Sequence, residues 1–401
     1  MSWAIRNTLY ASGFMIIPYI YVGWRLINST RFLFPAHARL LRIIILVSMV
    51  FLNFFPLIIL YYYSNGTLSE ELVYRTQTNF LDYVFLFPFW IGLILIVEVL
   101  PYFLASDIFQ IIIKLFFSRF NDVIHKWSAI LKIVLILFFA LYVTITSLND
   151  TFSISESEFK IKIANLPDEL NGLNLALIAD LQVDRFTQDY KIDGMKELIR
   201  DNKPDLLFFA GDLVTRGTHF INQGINVMCD LQVKTARVAC VGDHDYWADA
   251  EKISSGLQNC GWTFLNNAHR IINHNGAKIL ITGVTYVYSH RISSEQLTIL
   301  LENAPEADLK ILLVHQPSKM VINIAEKFGY DILLAGHTHG GQVAFKPFGL
   351  TLTPTKFENE FYSGHYTKNK LNIFVTNGIG LTMMPLRYRA PAEVITINLQ
   401  N

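Results

Sequence analysis

The sequence predicts an α/β protein in two parts: a four-helix transmembrane region over residues 1–148 and a mixed helix–strand domain over residues 149–401. Two observations support that division. Charge is unevenly placed, because residues 1–148 hold 16 of the 66 Asp, Glu, Lys and Arg side chains of the 401-residue chain and the other 253 residues hold 50. The apolar pattern changes at the same point. Before it, apolar stretches reach the roughly 20 residues that a helix needs to cross a hydrocarbon core of about 30 Å. After it, short apolar runs alternate with helix-like stretches. A chain that is 52% hydrophobic and only 16% charged is neither disordered nor wholly soluble, since soluble domains carry about 25% charged residues. A formal net charge of zero argues against a nucleic-acid partner, which calls for a basic surplus.

Four stretches are long and apolar enough to span: residues 8–26, 43–63, 83–104 and 127–148. Gly13, Pro18 and Gly23 interrupt the first. No small-residue cleavage site follows it, so it reads as a span rather than a signal peptide. The connection after the first span carries Arg25, Arg31, Arg39 and Arg42, and the one after the third carries Lys114, Arg119 and Lys126. The middle connection has Arg75 alone, beside Glu70 and Glu71. The excess of Lys and Arg marks the first and third connections as cytoplasmic, which puts everything after residue 148 outside. The expectation is a multi-pass protein of the cell or inner membrane whose carboxyl-terminal domain is extracytoplasmic. Residues 106–126 are expected to lie in the membrane interface as a separate helix, with Ile108, Ile111, Ile112, Leu115 and Phe116 on one face and Lys114, Arg119 and Asp122 opposite. Glu98 is the one acidic residue inside a span, and pairing within the helices explains it more simply than transport.

In the second part, five apolar runs each end in a polar cluster. Residues 175–179 lead into Asp180, 206–210 into Gly211-Asp212, and 238–241 into Gly242-Asp243-His244-Asp245. Residues 311–314 lead into His315, and 332–335 into Gly336-His337-Thr338-His339-Gly340-Gly341. Such near-continuous apolar runs read as strands covered on both faces. In α/β sheets, functional groups collect beyond the carboxyl ends of the strands. Asp180, Asp212, Asp243, His315, His337 and His339 are oxygen and imidazole donors of the kind that Mn, Fe and Zn accept. Six are more than one ion takes from a protein. Two metals sharing a carboxylate clamp phosphoryl oxygens and make a nucleophilic hydroxide at neutral pH. Cys229, Cys240 and Cys260 lack C-x-x-C spacing and read as small buried hydrophobes.

The ordered set D-x-Q, G-D, G-D-H-D, H and G-H-T-H-G-G-Q resembles the calcineurin-like metallophosphoesterases, in particular a membrane-anchored subgroup. The tail Asn377-Gly378-Ile379-Gly380 and Pro385-Leu386-Arg387 is similar to the subgroup's last strands, so the likeness spans about residues 153–399. The resemblance implies a four-layer αββα sandwich, two divalent metal ions and hydrolysis of a phosphate mono- or diester. Position by position, it implies that Asp180, Gln182, Asp212 and His339 hold one metal, and that Asp212, Asp243, His315 and His337 hold the other. It also implies that His244 lies beside the substrate phosphate, oriented by Asp245.

Two ligand positions depart from the family pattern. Gln182 stands where His is usual, and Asp243 where Asn is usual. Both changes move the donor set from nitrogen toward oxygen, which favours Mn²⁺ or Mg²⁺ over Zn²⁺. Asp184 is a candidate compensating ligand, and His290 a candidate neighbour of the site. Two functions follow: a membrane-anchored phosphoesterase acting on a lipid or cell-envelope phosphoester, or a catalytically impaired module that binds metal or phosphate without turnover. Oligomeric state is not legible.

Overall fold

The structure is a computed structural model that describes residues 3–65, 77–116, 118–187 and 189–401. It divides into a helical unit (Met1–Asn149, Phe345–Leu352 and Met383–Leu386) and a sheet unit (Asp150–Ala344, Thr353–Thr382 and Arg387–Asn401).

The helical unit contains α1 (Trp3–Leu33), α2 (Ala38–Leu52), α3 (Phe54–Ser64), α4 (Phe87–Phe116) and α5 (Asn121–Phe152). The middle connection with Glu70, Glu71 and Arg75 lies outside the described residues. Among the described residues, three helices are long and apolar enough to cross a membrane: Pro35–Leu52, Asp82–Phe116 and Asn121–Phe152. The expected first span lies within α1, which is not one of these three. The expected second span, 43–63, is broken between α2 and α3 at Asn53. Pro56 has no N–H to donate to the Leu52 carbonyl, so one bond of the helical ladder is missing beside the break.

The expected interfacial helix over 106–126 is not a separate element. α4 continues through Ser106 to Phe116, and α5 begins at Asn121. The reason is that Asp107 faces other helices instead of water. It accepts Lys132 Nζ at 2.8 Å and the Tyr21 hydroxyl at 2.6 Å, and it pairs with Arg25. Ser106 and Ser128 bond each other at 2.7 Å beside it. Tyr19, Val22, Ile96, Val99, Phe103 and Phe139 form an apolar core between α1, α4 and α5. At about 1.5 Å per residue, the 30 residues of α4 exceed a hydrocarbon core.

The sheet unit holds two six-stranded sheets. The first contains β1 (Ile154–Lys162), β2 (Asn174–Ile178), β3 (Leu206–Phe209), β4 (Ala236–Ala239), β5 (Thr263–Phe264) and β12 (Ala392–Gln400), in the order β1-β12-β2-β3-β4-β5. The second contains β6 (Ala268–His274), β7 (Ala277–Val284), β8 (Leu309–Val314), β9 (Ile332–Ala335), β10 (Gly364–Lys368) and β11 (Leu371–Val375), in the order β10-β11-β9-β8-β7-β6.

The period-two rule of strands explains the layering. Leu175 and Leu177 point into a core shared with Ile281, Ile311 and Leu313 of the other sheet. Ala176 and Ile178 point the opposite way, toward α6 (Asp189–Asn202), α7 (Ile221–Cys229) and α9 (Ala250–Asn259). Leu280, Leu312 and Leu333 do the same on the second sheet, under α10 (Ser294–Glu302) and α11 (Lys319–Lys327). The strands that bear the polar clusters are therefore buried on both faces. Only their ends are free to carry chemistry.

Two of the three cysteines, expected as small buried hydrophobes, are instead paired. Cys229 ends α7 and Cys260 follows α9, and the two are bonded with Cα atoms 5.5 Å apart. Cys240 alone is a buried free thiol. Spacing along the chain could not reveal a pair 31 residues apart.

Candidate metal centre

β2, β3 and β4 of one sheet and β8 and β9 of the other deliver their polar ends to one place. Asp180, Gln182, Asp212, His337 and His339 all have positive φ, between 47° and 71°. For side chains larger than glycine this costs of order 1 kcal/mol or more each, and such strain concentrates at functional sites. Glycines let the turns close: a side-chain carbon on Gly336 would meet Asp180 Oδ2 at 2.7 Å, and one on Gly242 would collide with Asp212.

Among the described residues, two groups have ligand atoms within 4.8 Å of one another: Asp243 with His315 and His337, and Asp180 with Asp212 and His315. His315 Nε2 lies 3.4 Å from Asp212 Oδ2 and 3.3 Å from Asp243 Oδ2. His337 Nδ1 is 2.9 Å from Asp243 Oδ2, and His339 Nε2 is 3.6 Å from Asp180 Oδ1. Gln182 Nε2 donates to Asp212 Oδ2 at 2.9 Å. All seven candidate ligands are thus in one constellation.

The site fits a cation. Among the described residues, Asp180 Oδ1, Gln182 Oε1 and His315 Nε2 are buried with no hydrogen-bond partner, and leaving such atoms unmatched costs about 1–3 kcal/mol each. His315 Nδ1 donates to the Ala210 carbonyl at 2.7 Å. That bond fixes the tautomer and leaves Nε2 as the coordinating nitrogen. Burial pushes the Asp180 carboxyl up to about 8. Burial opposes charge on Asp212 and Asp243 as well, but the neighbouring histidines outweigh it and hold both below the usual range. Burial also favours neutral His315, yet the charges of Asp212 and Asp243 raise it. Buried His339 is held low, first by desolvation and then by the charge of Arg387. Three packed acidic side chains, one of them with an unmatched oxygen, beside an unmatched amide oxygen and an unmatched imidazole nitrogen make a site suited to positive charge.

His244 sits at the rim. Its backbone N–H donates to Asp212 Oδ1 at 2.8 Å, Nδ1 donates to the Thr215 carbonyl, and Nε2 lies 4.0 Å from Asp212 Oδ2. Asp245 does not orient it, contrary to expectation. The Asp245 carboxylate accepts the backbone N–H groups of Gly242, Asp212 and Leu213 at 2.8–2.9 Å. Asp245 is the third residue of the helix Asp243–Ala248, here α8, and it reaches back to the residue before that helix. It therefore pins the Asp212 turn. Asp184 is also engaged elsewhere, accepting from Phe186 N at 2.7 Å and Thr215 Oγ1 at 2.9 Å. His290 stacks on Tyr246 of α8 at 4.0 Å.

Three further residues shape the site, and the strand-end pattern did not single them out. Gln316 Nε2 donates to Asp243 Oδ2 at 2.7 Å, and Tyr288 N donates to Asp243 Oδ1 at 2.5 Å. Asp243 therefore faces two donors; an asparagine could accept only one of them. Arg387 is fully buried. Its guanidinium donates to the carbonyls of Asn377, Gly380 and Ala390 at 2.7–2.9 Å, and Nη2 lies 3.5 Å from His339 Nδ1. Burial lowers it to about 10, so it stays charged at neutral pH.

Residues 173–341 match the family described as calcineurin-like phosphoesterase. A metallophosphoesterase of Bacillus subtilis (strain 168) is 24% identical over 255 residues, which is 62% of this chain and 86% of that protein. The transmembrane protein with metallophosphoesterase domain of Danio rerio is 24% identical over 253 residues, covering 61% of this chain and 56% of that one. Among solved structures, a 5'-nucleotidase precursor from Thermus thermophilus has a TM-score of 0.36 at 13% identity, over 53% of this chain and 49% of that one. That likeness is too slight to carry a conclusion. Family match, named relatives and the donor set agree: residues 173–341 form a calcineurin-like phosphoesterase domain with the donor set of a metal-dependent phosphoesterase.

Proposed function

We propose that this protein is a membrane-anchored phosphoesterase that cleaves a phosphate mono- or diester of a lipid or cell-envelope substrate outside the cytoplasm. The observation that supports it most is the convergence of three unmatched buried donor atoms, Asp180 Oδ1, Gln182 Oε1 and His315 Nε2. Asp180, Gln182, Asp212 and His339 would hold one divalent ion, and Asp212, Asp243, His315 and His337 a second. When bound, such a pair supplies Lewis-acid charge to phosphoryl oxygens and lowers the pKa of water enough to make it a nucleophile near neutral pH. The oxygen-rich donors favour Mn²⁺ or Mg²⁺.

The chain's own residues do the rest. His244 is anchored through Nδ1, so Nε2 is the atom that can hold a proton for the leaving oxygen. Asp245 fixes the Asp212 turn, and Gln316 and Tyr288 fix the Asp243 carboxylate. Four spans with a cytoplasmic first and third connection fit the Lys and Arg distribution. The Cys229–Cys260 bond supports an oxidising compartment for the domain.

The test is metal content and Mn²⁺-dependent hydrolysis of a generic aryl phosphodiester by the purified full chain, beside His337→Ala. The expected result is two metals per chain and activity that disappears in the variant. Phosphate binding without turnover under any divalent ion would overturn the catalytic reading in favour of a binding module.

A further inference from the structure

Two short segments of the carboxyl-terminal half, Phe345–Leu352 and Met383–Leu386, group with the membrane helices. Phe348 is the link, its ring 4.9 Å from that of Tyr102. Tyr102 lies midway along the 30-residue α4. At about 1.5 Å per residue, it stands roughly 20 Å from either helix end.

The first segment is built for an apolar medium. Phe345 and Leu352 exchange both backbone hydrogen bonds at 2.8 Å, Leu350 N donates to Pro347 O at 3.0 Å, and Gly349 N donates to Lys346 O at 3.3 Å. The loop thus satisfies much of its own backbone, as a segment in lipid must. Its side chains face outward: Phe348 is 64% exposed, Leu350 68%, Leu352 47%, and Met383 of the second segment 46%. Phe348 also has φ of 51°, an unfavourable backbone for a bulky residue. That backbone sets the Phe348 ring against Tyr102 while most of its surface stays exposed. Lys346 is the loop's only charge, and its long stem lets it reach a headgroup phosphate.

The first segment follows the turn that carries His339, and the second is flanked by residues bonded to that turn. The first begins three residues past Gln342, whose Oε1 accepts from Thr382 N at 2.8 Å. The second ends at Leu386, one residue before Arg387 and its contact with His339.

We infer that residues 345–352 with Met383 form a hydrophobic device inserted into the bilayer that houses this chain's own helices, and that the phosphoester it serves is carried by a membrane lipid. This rests on the phosphoesterase reading above. The occupant is the acyl region of the bilayer, continuous with the lipid-facing surface of α4.

The experiment uses the full chain in vesicles of phosphatidylcholine and phosphatidylglycerol. Leu350→Cys carries a nitrobenzoxadiazole label, with Lys278→Cys as the water-exposed reference. The added thiol reacts selectively because Cys240 is buried and the other two cysteines are bonded. Quenching at position 350 by bromines in the acyl chains, with protection from aqueous iodide, is expected. Iodide quenching as free as at position 278 would overturn insertion.

In parallel, Phe348→Ser combined with Leu350→Ser is assayed on a fluorescent phospholipid in vesicles and on a soluble aryl phosphodiester. The ratio of lipid to soluble rate is expected to fall at least about tenfold. An unchanged ratio would overturn the lipid-substrate assignment. If the unmodified chain hydrolyses neither ester, the phosphoesterase reading and the assignment resting on it fail together, while the quenching result still decides insertion by itself.

Discussion

Gln182 and Asp212 are joined side chain to side chain: Gln182 Nε2 donates to Asp212 Oδ2 at 2.9 Å, which leaves Gln182 Oε1 buried and unmatched. The amide is held with its oxygen available, as a ligand's would be. The same logic explains Asp243. Its two oxygens face the Tyr288 N–H and the Gln316 amide, so the extra carboxylate oxygen has a partner waiting. These departures from the family pattern are matched by their surroundings, which is not what decay would produce.

Gln182→His should move the site toward nitrogen. The ratio of Zn²⁺ to Mn²⁺ bound in competition is expected to rise about tenfold, following donor softness. Elemental analysis after equilibration with both ions checks this, and an unchanged ratio would remove Gln182 from the ligand set.

His244→Gln should lower kcat by about 10²–10³, within the range for loss of a positioned proton donor. Metal content should stay unchanged, because His244 is not among the donors proposed to hold the ions. Paired kinetics and metal analysis separate this from a structural defect, which would reduce both.

Arg387→Met should destabilise the protein by about 3 kcal/mol, since it strips the donor from several buried carbonyls. Arg387→Lys should not restore it. An ammonium offers three donors from one point, whereas the guanidinium reaches Asn377, Gly380 and Ala390 together. Thermal unfolding of the detergent-solubilised chain reads the difference.

Lys191 on α6 gives a pH signature. Burial lowers it from 10.5 to about 7. The unfolded chain therefore binds the extra proton between those values, and stability falls as pH drops from about 10.5 to about 7, with the full penalty present below. Lys191→Met is expected to stabilise by a few kcal/mol at pH 6, with the gain shrinking toward zero above pH 10.5. Denaturation at several pH values checks the trend. A pH-independent gain would mean that packing, not charge, is responsible.

Replacing Cys229 and Cys260 together by Ser should cost roughly 3–4 kcal/mol for a loop of this length. Thiol trapping at lysis is expected to find one reactive thiol per unfolded chain, that of Cys240. Three would place the domain in a reducing compartment and reverse the proposed orientation.

Much of the site was legible because strand ends write it in short words: a buried apolar run, then Asp or His. That pattern depends only on local burial and on where α/β sheets leave groups free, so Asp180, Asp212, Asp243, His315, His337 and His339 were readable one by one. The residues that hold them were not. Gln316 and Tyr288 meet Asp243 from 73 and 45 residues away, and the role of Asp245 appeared only when its carboxylate was seen closing on three backbone N–H groups.

In the helical unit, composition determined that apolar helices exist, since hydropathy is a local sum. Their boundaries belonged to tertiary structure. The sequence places the end of a span at residue 104, yet α4 runs on through Asp107 because Arg25, Lys132 and Tyr21 come to that carboxylate from two other helices. The sequence alone determined the two-part plan, the strand-end donors and the kind of chemistry they suit. The tertiary structure decided which oxygens stay unmatched, which cysteines pair and where each helix stops, because each depends on partners distant in the chain that only folding brings within a few ångströms.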